Sequence, residues 1–127
     1  MTKTPKKKMV KMYSCCKKVE RISGKWNFAS FIHPKSWVVQ DAAIKNLVDI
    51  SCISELLLDK NDSFCFCHPE IPFRELSGIK RYLTKVQDST IDFYLIWNTI
   101  GKVIPDMIDA IEAIFEGTQY DYQPDSE

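Results

Sequence analysis

From Val39 to Leu58 the apolar side chains keep step with an α-helix. Val39, Ala43, Leu47, Ile50, Ser54 and Leu57 recur every three or four positions, and Ile44, Ile53 and Leu58 widen the band. Asp41, Lys45, Asp49, Glu55 and Asp59 fall largely off it. A strand would alternate with period two, whereas this spacing lines up one face of a helix. A face that long must be covered by other elements, because a lone helix gains too little in water. Ser36, after His33-Pro34, is the expected N-cap of this helix. Asp41 and Lys45 are spaced i,i+4 in the favourable order.

Candidate partners for that face lie on both sides of it. Leu76, Ile79, Leu83 and Val86 repeat with helical period behind Pro72, which suits a first helical turn. Ile104, Ile108, Ile111 and Phe115 repeat with Pro105 in the first helical turn and Gly117 as a C-terminal stop. Ser89-Thr90-Ile91-Asp92 resembles a capping box ahead of Phe93-Tyr94-Leu95-Ile96-Trp97. That run is apolar on all sides, as in the central helix of a bundle, although a short buried strand has the same composition. Met12, Cys15/Cys16, Val19 and Ile22 also recur at helical spacing, but residues 9–33 fit a strand pair as well, with Ser23-Gly24 as the turn. A helix followed by an extended aromatic segment is the preferred reading. Asp59–Ser63 reads as a loop, and residues 64–72 as extended or irregular because of Pro69 and Pro72.

Several amphipathic stripes sharing one core make a mainly α, single-domain compact bundle of four to five helices, with a short irregular or hairpin-like segment near residues 24–34. A length of 127 residues fits one such core. The expected organisation is a flexible basic tail over 1–8, a globular helical domain over 9–117 and an acidic C-terminal tail over 118–127.

The formal net charge is zero, but it is unevenly spread. Residues 1–25 carry nine bases and one acid, so the remainder carries an excess of eight acids. From residue 103 onward there are seven acids and no base. Asymmetry of this kind bears on partners rather than on fold.

The motifs of chemistry are sparse. The four glycines form neither a Walker loop nor a G-x-G-x-x-G turn, so a nucleotide site of that type is excluded. Five cysteines, Cys15, Cys16, Cys52, Cys65 and Cys67, are an odd and scattered set, expected to be thiols in a reducing compartment. Cys65, Cys67 and His68, with Cys15-Cys16, are candidate soft metal ligands, but their spacing does not match the two pairs of a structural zinc site. Cys67 and His68 are neighbours in sequence, and no nucleophile motif surrounds them. No metal, no cofactor and no enzymatic activity are expected. The lysine-rich start has no apolar stretch behind it and no segment is long enough to span a bilayer, so a cytoplasmic chain without membrane contact is expected.

Two surfaces remain as candidates. Asp106, Asp109, Glu112 and Glu116 repeat opposite the apolar face of their helix, and Tyr120, Asp121 and Tyr122 follow. Carboxylates speed encounter with a basic protein and aromatics anchor it. The leading expectation is therefore a non-enzymatic protein-binding inhibitor, in its concrete form a bacterial immunity protein that masks a basic, nuclease-like toxin domain. The alternative is a nucleic-acid-binding accessory protein using Lys6, Lys7, Lys8, Lys11, Lys17, Lys18 and Arg21. A small Cys/His metal protein is the second alternative.

Overall fold

The computed structural model describes residues 4–83 and 92–117, and all of its regular structure is helical. Seven α-helices follow in order: α1 (Thr4–Lys25), α2 (Phe28–Phe31), α3 (Trp37–Lys60), α4 (Asp62–Cys67), α5 (Phe73–Leu83), α6 (Phe93–Asn98) and α7 (Ile104–Gly117). A 3₁₀ turn, Pro34–Ser36, leads into α3, and a π-helical turn, Thr99–Val103, joins α6 to α7. The mainly α bundle expected from the stripes is what forms.

Helices α1 and α3 form the centre. Lys8 near the start of α1 donates 3.3 Å to Asn61 Oδ1 just past the end of α3, so the two run antiparallel. Helix α7 also packs on α1, through Tyr13 and Glu112, and α5 packs on α3. One continuous core joins them: Met9, Met12, Cys16 and Val19 of α1, Leu47, Ile50 and Leu57 of α3, Leu76 of α5, and Ile104 and Ile111 of α7 are all essentially buried. Buried Ser51 ties α3 to α5 by donating 3.1 Å to the Ser77 carbonyl and accepting 3.2 Å from the Lys80 N–H. Three residues further along α3, the buried Ser54 hydroxyl has no hydrogen-bond partner among the described residues.

Several local expectations are corrected. Residues 4–8 are the first turn and a half of α1 rather than a flexible tail: Pro5 is buried, and Lys8 is held by Asn61. A proline at the start of a helix loses no hydrogen bond. Of the two forms expected for residues 24–34, the irregular one forms, as short helical turns joined by non-helical residues, and no hairpin. Asn27 caps α2, accepting 2.8 Å from the Ser30 N–H while Ser30 Oγ accepts 3.0 Å from the Asn27 N–H. That reciprocal pair closes a helical turn where the aromatic alternation had read as a strand. Ser36 does not cap α3 with its side chain; its hydroxyl donates 2.6 Å to the Ser30 carbonyl instead. Lys45 pairs with Asp49 at 3.1 Å, not with Asp41. Only Asn61 separates α3 from α4, so residues 62–67 are helical rather than loop and extended chain.

The apolar run Phe93–Trp97 is helical but not central. Asp92 itself is the cap, accepting 3.0 Å from the Leu95 N–H. Ile96 is buried, whereas Tyr94 is 64% exposed. Ser89–Ile91 and Val86 lie outside the described residues, as does the expected 118–127 tail. The π turn has a local cause. Pro105 has no N–H and would crowd the carbonyl of Gly101 in a regular helix. In the wider turn Ile104 N–H reaches back to the Thr99 carbonyl.

Candidate functional site

The acidic candidates divide when α7 is in place. Ile104, Ile108, Ile111 and Phe115 point into the core, together with Met107 and Ile114. Asp106, Asp109, Ala113 and Glu116 point out. Among the described residues none of these three carboxylates has an ion pair or a side-chain hydrogen bond. Glu112 is different. It is half-buried on the α1–α7 seam, where its Oε2 accepts 2.6 Å from the Tyr13 hydroxyl. The Tyr13 ring meets Phe115 edge-on, with centroids 6.2 Å apart. Glu112 therefore braces two helices and is not part of the outward set. Tyr120, Asp121 and Tyr122 lie outside the described residues.

The basic candidates are ordered by α1. Lys7, Lys11, Lys18 and Arg21 are exposed and follow one another at steps of three, four or seven, with Ser14 filling the gap. That is one face of a helix. Lys25 extends it, a residue that belongs with the set by the same spacing. At 1.5 Å per residue the stripe runs about 27 Å. Among the described residues none of these five bases forms an ion pair. The other three candidates stand apart from it. Lys17 pairs with Glu20 at 3.0 Å, Lys8 bonds Asn61, and Lys6 is half-buried.

The described parts of the two charged ends, α1 and α7, are thus neighbouring helices, and among the described residues no ion pair joins their outer faces. Tyr13 and Glu112 join them beneath those faces. Among the described residues Lys7, Lys11, Lys18, Arg21 and Lys25 are exposed on α1, and Asp106, Asp109 and Glu116 are exposed on α7.

The thiols are separated. Cys65 is buried and Cys67 is exposed, because positions i and i+2 of a helix face nearly opposite ways. Among the described residues no three His, Cys, Asp or Glu side chains are grouped to hold a metal ion. His68 Nδ1 lies 3.2 Å from Glu70 Oε2, and its ring packs on Phe64 at 4.7 Å. Burial pushes the Cys16 thiol up to about 12, with smaller contributions from Cys15 and Glu20. Burial also raises Cys15, aided by Asp49, and Cys65, aided by Asp62. Such thiols stay protonated at neutral pH and are poor nucleophiles.

A further surface went unread in the sequence. Phe28 packs against Tyr94 at 5.8 Å and Trp97 at 6.4 Å, and Phe31 packs against Trp97 at 5.2 Å, fastening α2 to α6. This cluster lies at the end of the molecule where α1 finishes and α3 begins. Trp37, 61% exposed, and Val38 and Ile32 stand at the same end. The signal for it was the pair Trp37-Val38, apolar yet outside the α3 stripe.

Among the described residues no helix is long and apolar enough to cross a membrane. No family model, no curated protein and no solved structure matches the chain.

Proposed function

We propose that this chain is a non-enzymatic binding protein that docks a basic protein partner through the outer face of α7. Its concrete form is a cytoplasmic immunity protein that covers a basic, nuclease-like toxin domain. The observation that carries this reading is the outward row Asp106, Asp109 and Glu116, which no base among the described residues neutralises. Free carboxylates on a rigid helix keep their attraction for an incoming cationic surface, and α7 is held in place by Tyr13–Glu112 and by its buried isoleucines. The free thiols fit a reducing compartment.

The test is capture from the native host by the full chain and by the triple variant Asp106→Asn, Asp109→Asn, Glu116→Gln. All three side chains are exposed, so the variant should keep its fold by circular dichroism. The expected result is a basic protein recovered with the unchanged chain and reduced at least about tenfold with the variant, since several charges are removed from one face. Equal recovery with both chains overturns the reading.

A second reading, polyanion binding by α1, is favoured by the alignment of Lys7, Lys11, Lys18, Arg21 and Lys25 on one face. Scattered lysines on a mobile end would supply charge without register; a helix supplies both. Binding of an anionic polymer such as heparin that is lost on reversing Lys11, Lys18 and Arg21 to Glu is the expected outcome. Retention by the reversed variant would sink it.

A further inference from the structure

The width of the positive ridge narrows the kind of polyanion that fits. It is one helix face wide and about 27 Å long. On one side it is flanked by α7, whose outer face carries Asp106, Asp109 and Glu116. On the other side lies α3, where Asp49 is engaged with Lys45. A duplex about 20 Å across would bring its second strand of phosphates over those carboxylates. A single strand has one row of phosphates and can follow the ridge without meeting α7.

The ridge also leads somewhere. It ends at Lys25, where α1 gives way to Trp26, Phe28 and the cluster containing Tyr94. Trp37, on the first turn of α3, stands at that end because α3 runs antiparallel to α1. Trp37 and Tyr94 are 61% and 64% exposed, an unusual state for large aromatics that a packed core would otherwise claim. Every base has a π-face, so exposed rings at the end of a positive ridge bind bases without reading sequence.

We infer that the α1 ridge, with Trp37 and Tyr94 at its end, is a binding site for single-stranded nucleic acid. Phosphates lie along Lys7, Lys11, Lys18, Arg21 and Lys25, and bases stack on the two aromatic rings. This inference rests on the second reading above and adds the ligand class.

The experiment is fluorescence anisotropy with labelled 15-nucleotide DNA and RNA single strands and a 15-base-pair duplex, between 50 and 300 mM NaCl, using the full chain. Five phosphate contacts on a single strand predict a slope of log K against log salt of about −3.5. Reversing Lys11, Lys18 and Arg21 to Glu should abolish binding. Trp37→Ala and Tyr94→Ala should each weaken single-strand binding by roughly five- to a hundredfold while leaving the salt slope almost unchanged. Unchanged thermal unfolding of each variant excludes a folding defect, and Trp37→Ala, at a residue 61% exposed, carries the test if Tyr94→Ala, which also loses the Phe28 contact, unfolds at lower temperature.

Duplex bound as tightly as single strands, or aromatic variants that bind like the unchanged chain, would overturn the single-strand inference while leaving polyanion binding by α1 standing. No binding to any oligonucleotide at 50 mM salt, with heparin still held, overturns it in the same way. Loss of heparin binding as well fells both. Binding to phosphatidylserine vesicles but not to oligonucleotides would assign the ridge to a lipid surface and refute the nucleic acid.

Discussion

Single residues in this fold are held by polar contacts that do more than fill space. Gln40, buried on the first turn of α3, donates through Nε2 to the Phe31 carbonyl at 2.8 Å and to the His33 carbonyl at 3.0 Å. Those two bonds end α2 and aim the 3₁₀ turn into α3. Gln40→Leu keeps the apolar volume but takes this donor from the buried Phe31 carbonyl, while the His33 carbonyl still accepts 2.8 Å from the Ser36 N–H, and a buried acceptor that loses its partner is costly. A loss of about 1–3 kcal/mol in urea-melt stability is expected, larger than any surface change on the same helix would give. Gly78 makes the opposite case. It sits in the middle of α5, and a Cβ added there would meet nothing within 4 Å. Its flexibility therefore serves no packing need, and it costs conformational entropy on folding. Gly78→Ala should raise stability by about 0.5–1 kcal/mol in the same melt, without altering any binding ascribed to α1 or α7.

Pairs of helices are joined by a small number of directed contacts laid over an apolar seam, and the α1–α7 pair carries both of the proposed binding faces. Its polar link is the 2.6 Å bond from Tyr13 to Glu112, backed by the Tyr13–Phe115 ring contact. A hydroxyl donating to a carboxylate is stronger than a neutral pair, and its loss leaves a half-buried charge less well solvated. Tyr13→Phe retains the ring packing and should cost about 1–3 kcal/mol, read as a lower urea midpoint with an unchanged m-value. The same seam shows what the sequence made legible and what it hid. The apolar stripes of α3 and α7 were readable because each is long and its period leaves no rival to a helix. Segment 24–34 is less legible, because Trp26, Phe28, Ser30 and Ile32 alternate like a strand, whereas the deciding bonds, Asn27 with Ser30 and Gln40 with Phe31, are a local cap and a tertiary clamp. The seam position of Glu112 is hidden in the sequence for a related reason. On the helix wheel it stands next to Asp109 and Glu116, and only the neighbour, α1, turns that position into a seam. Basic residues 7, 11, 18, 21 and 25 could have been recognised as one face had α1 been read from Thr4.

At the scale of the whole molecule, ionisation and folding are linked through the buried thiols. Charge segregation alone sets little of the stability, since the outer faces of α1 and α7 are exposed and screened by salt. The buried groups behave differently. Burial raises Cys16 from 9.0 to about 12, and burial likewise raises Cys15 and Cys65 above 9.0. In the unfolded chain all three regain ordinary acidity. At pH values below the unfolded value both states are protonated, and stability does not depend on these thiols. Above about 9 the unfolded chain releases protons that the native chain still holds, so stability falls as pH rises through that window. Lys80 acts in the same direction. Its pKa is raised chiefly by the 2.6 Å hydrogen bond to Glu55, an interaction kept while the amine is charged and lost as it deprotonates. The expected profile is therefore flat in thermal unfolding between about pH 7 and 8.5, under a reductant that prevents disulfide formation, with a progressive drop above 9. Cys16→Ala removes the largest of the thiol contributions, so its stability should decline less steeply over that range, even though the smaller side chain lowers the plateau. A parallel decline in both proteins would show that Cys16 is not protonated at alkaline pH in the folded chain, and hence not as buried as its place between α1 and the core requires.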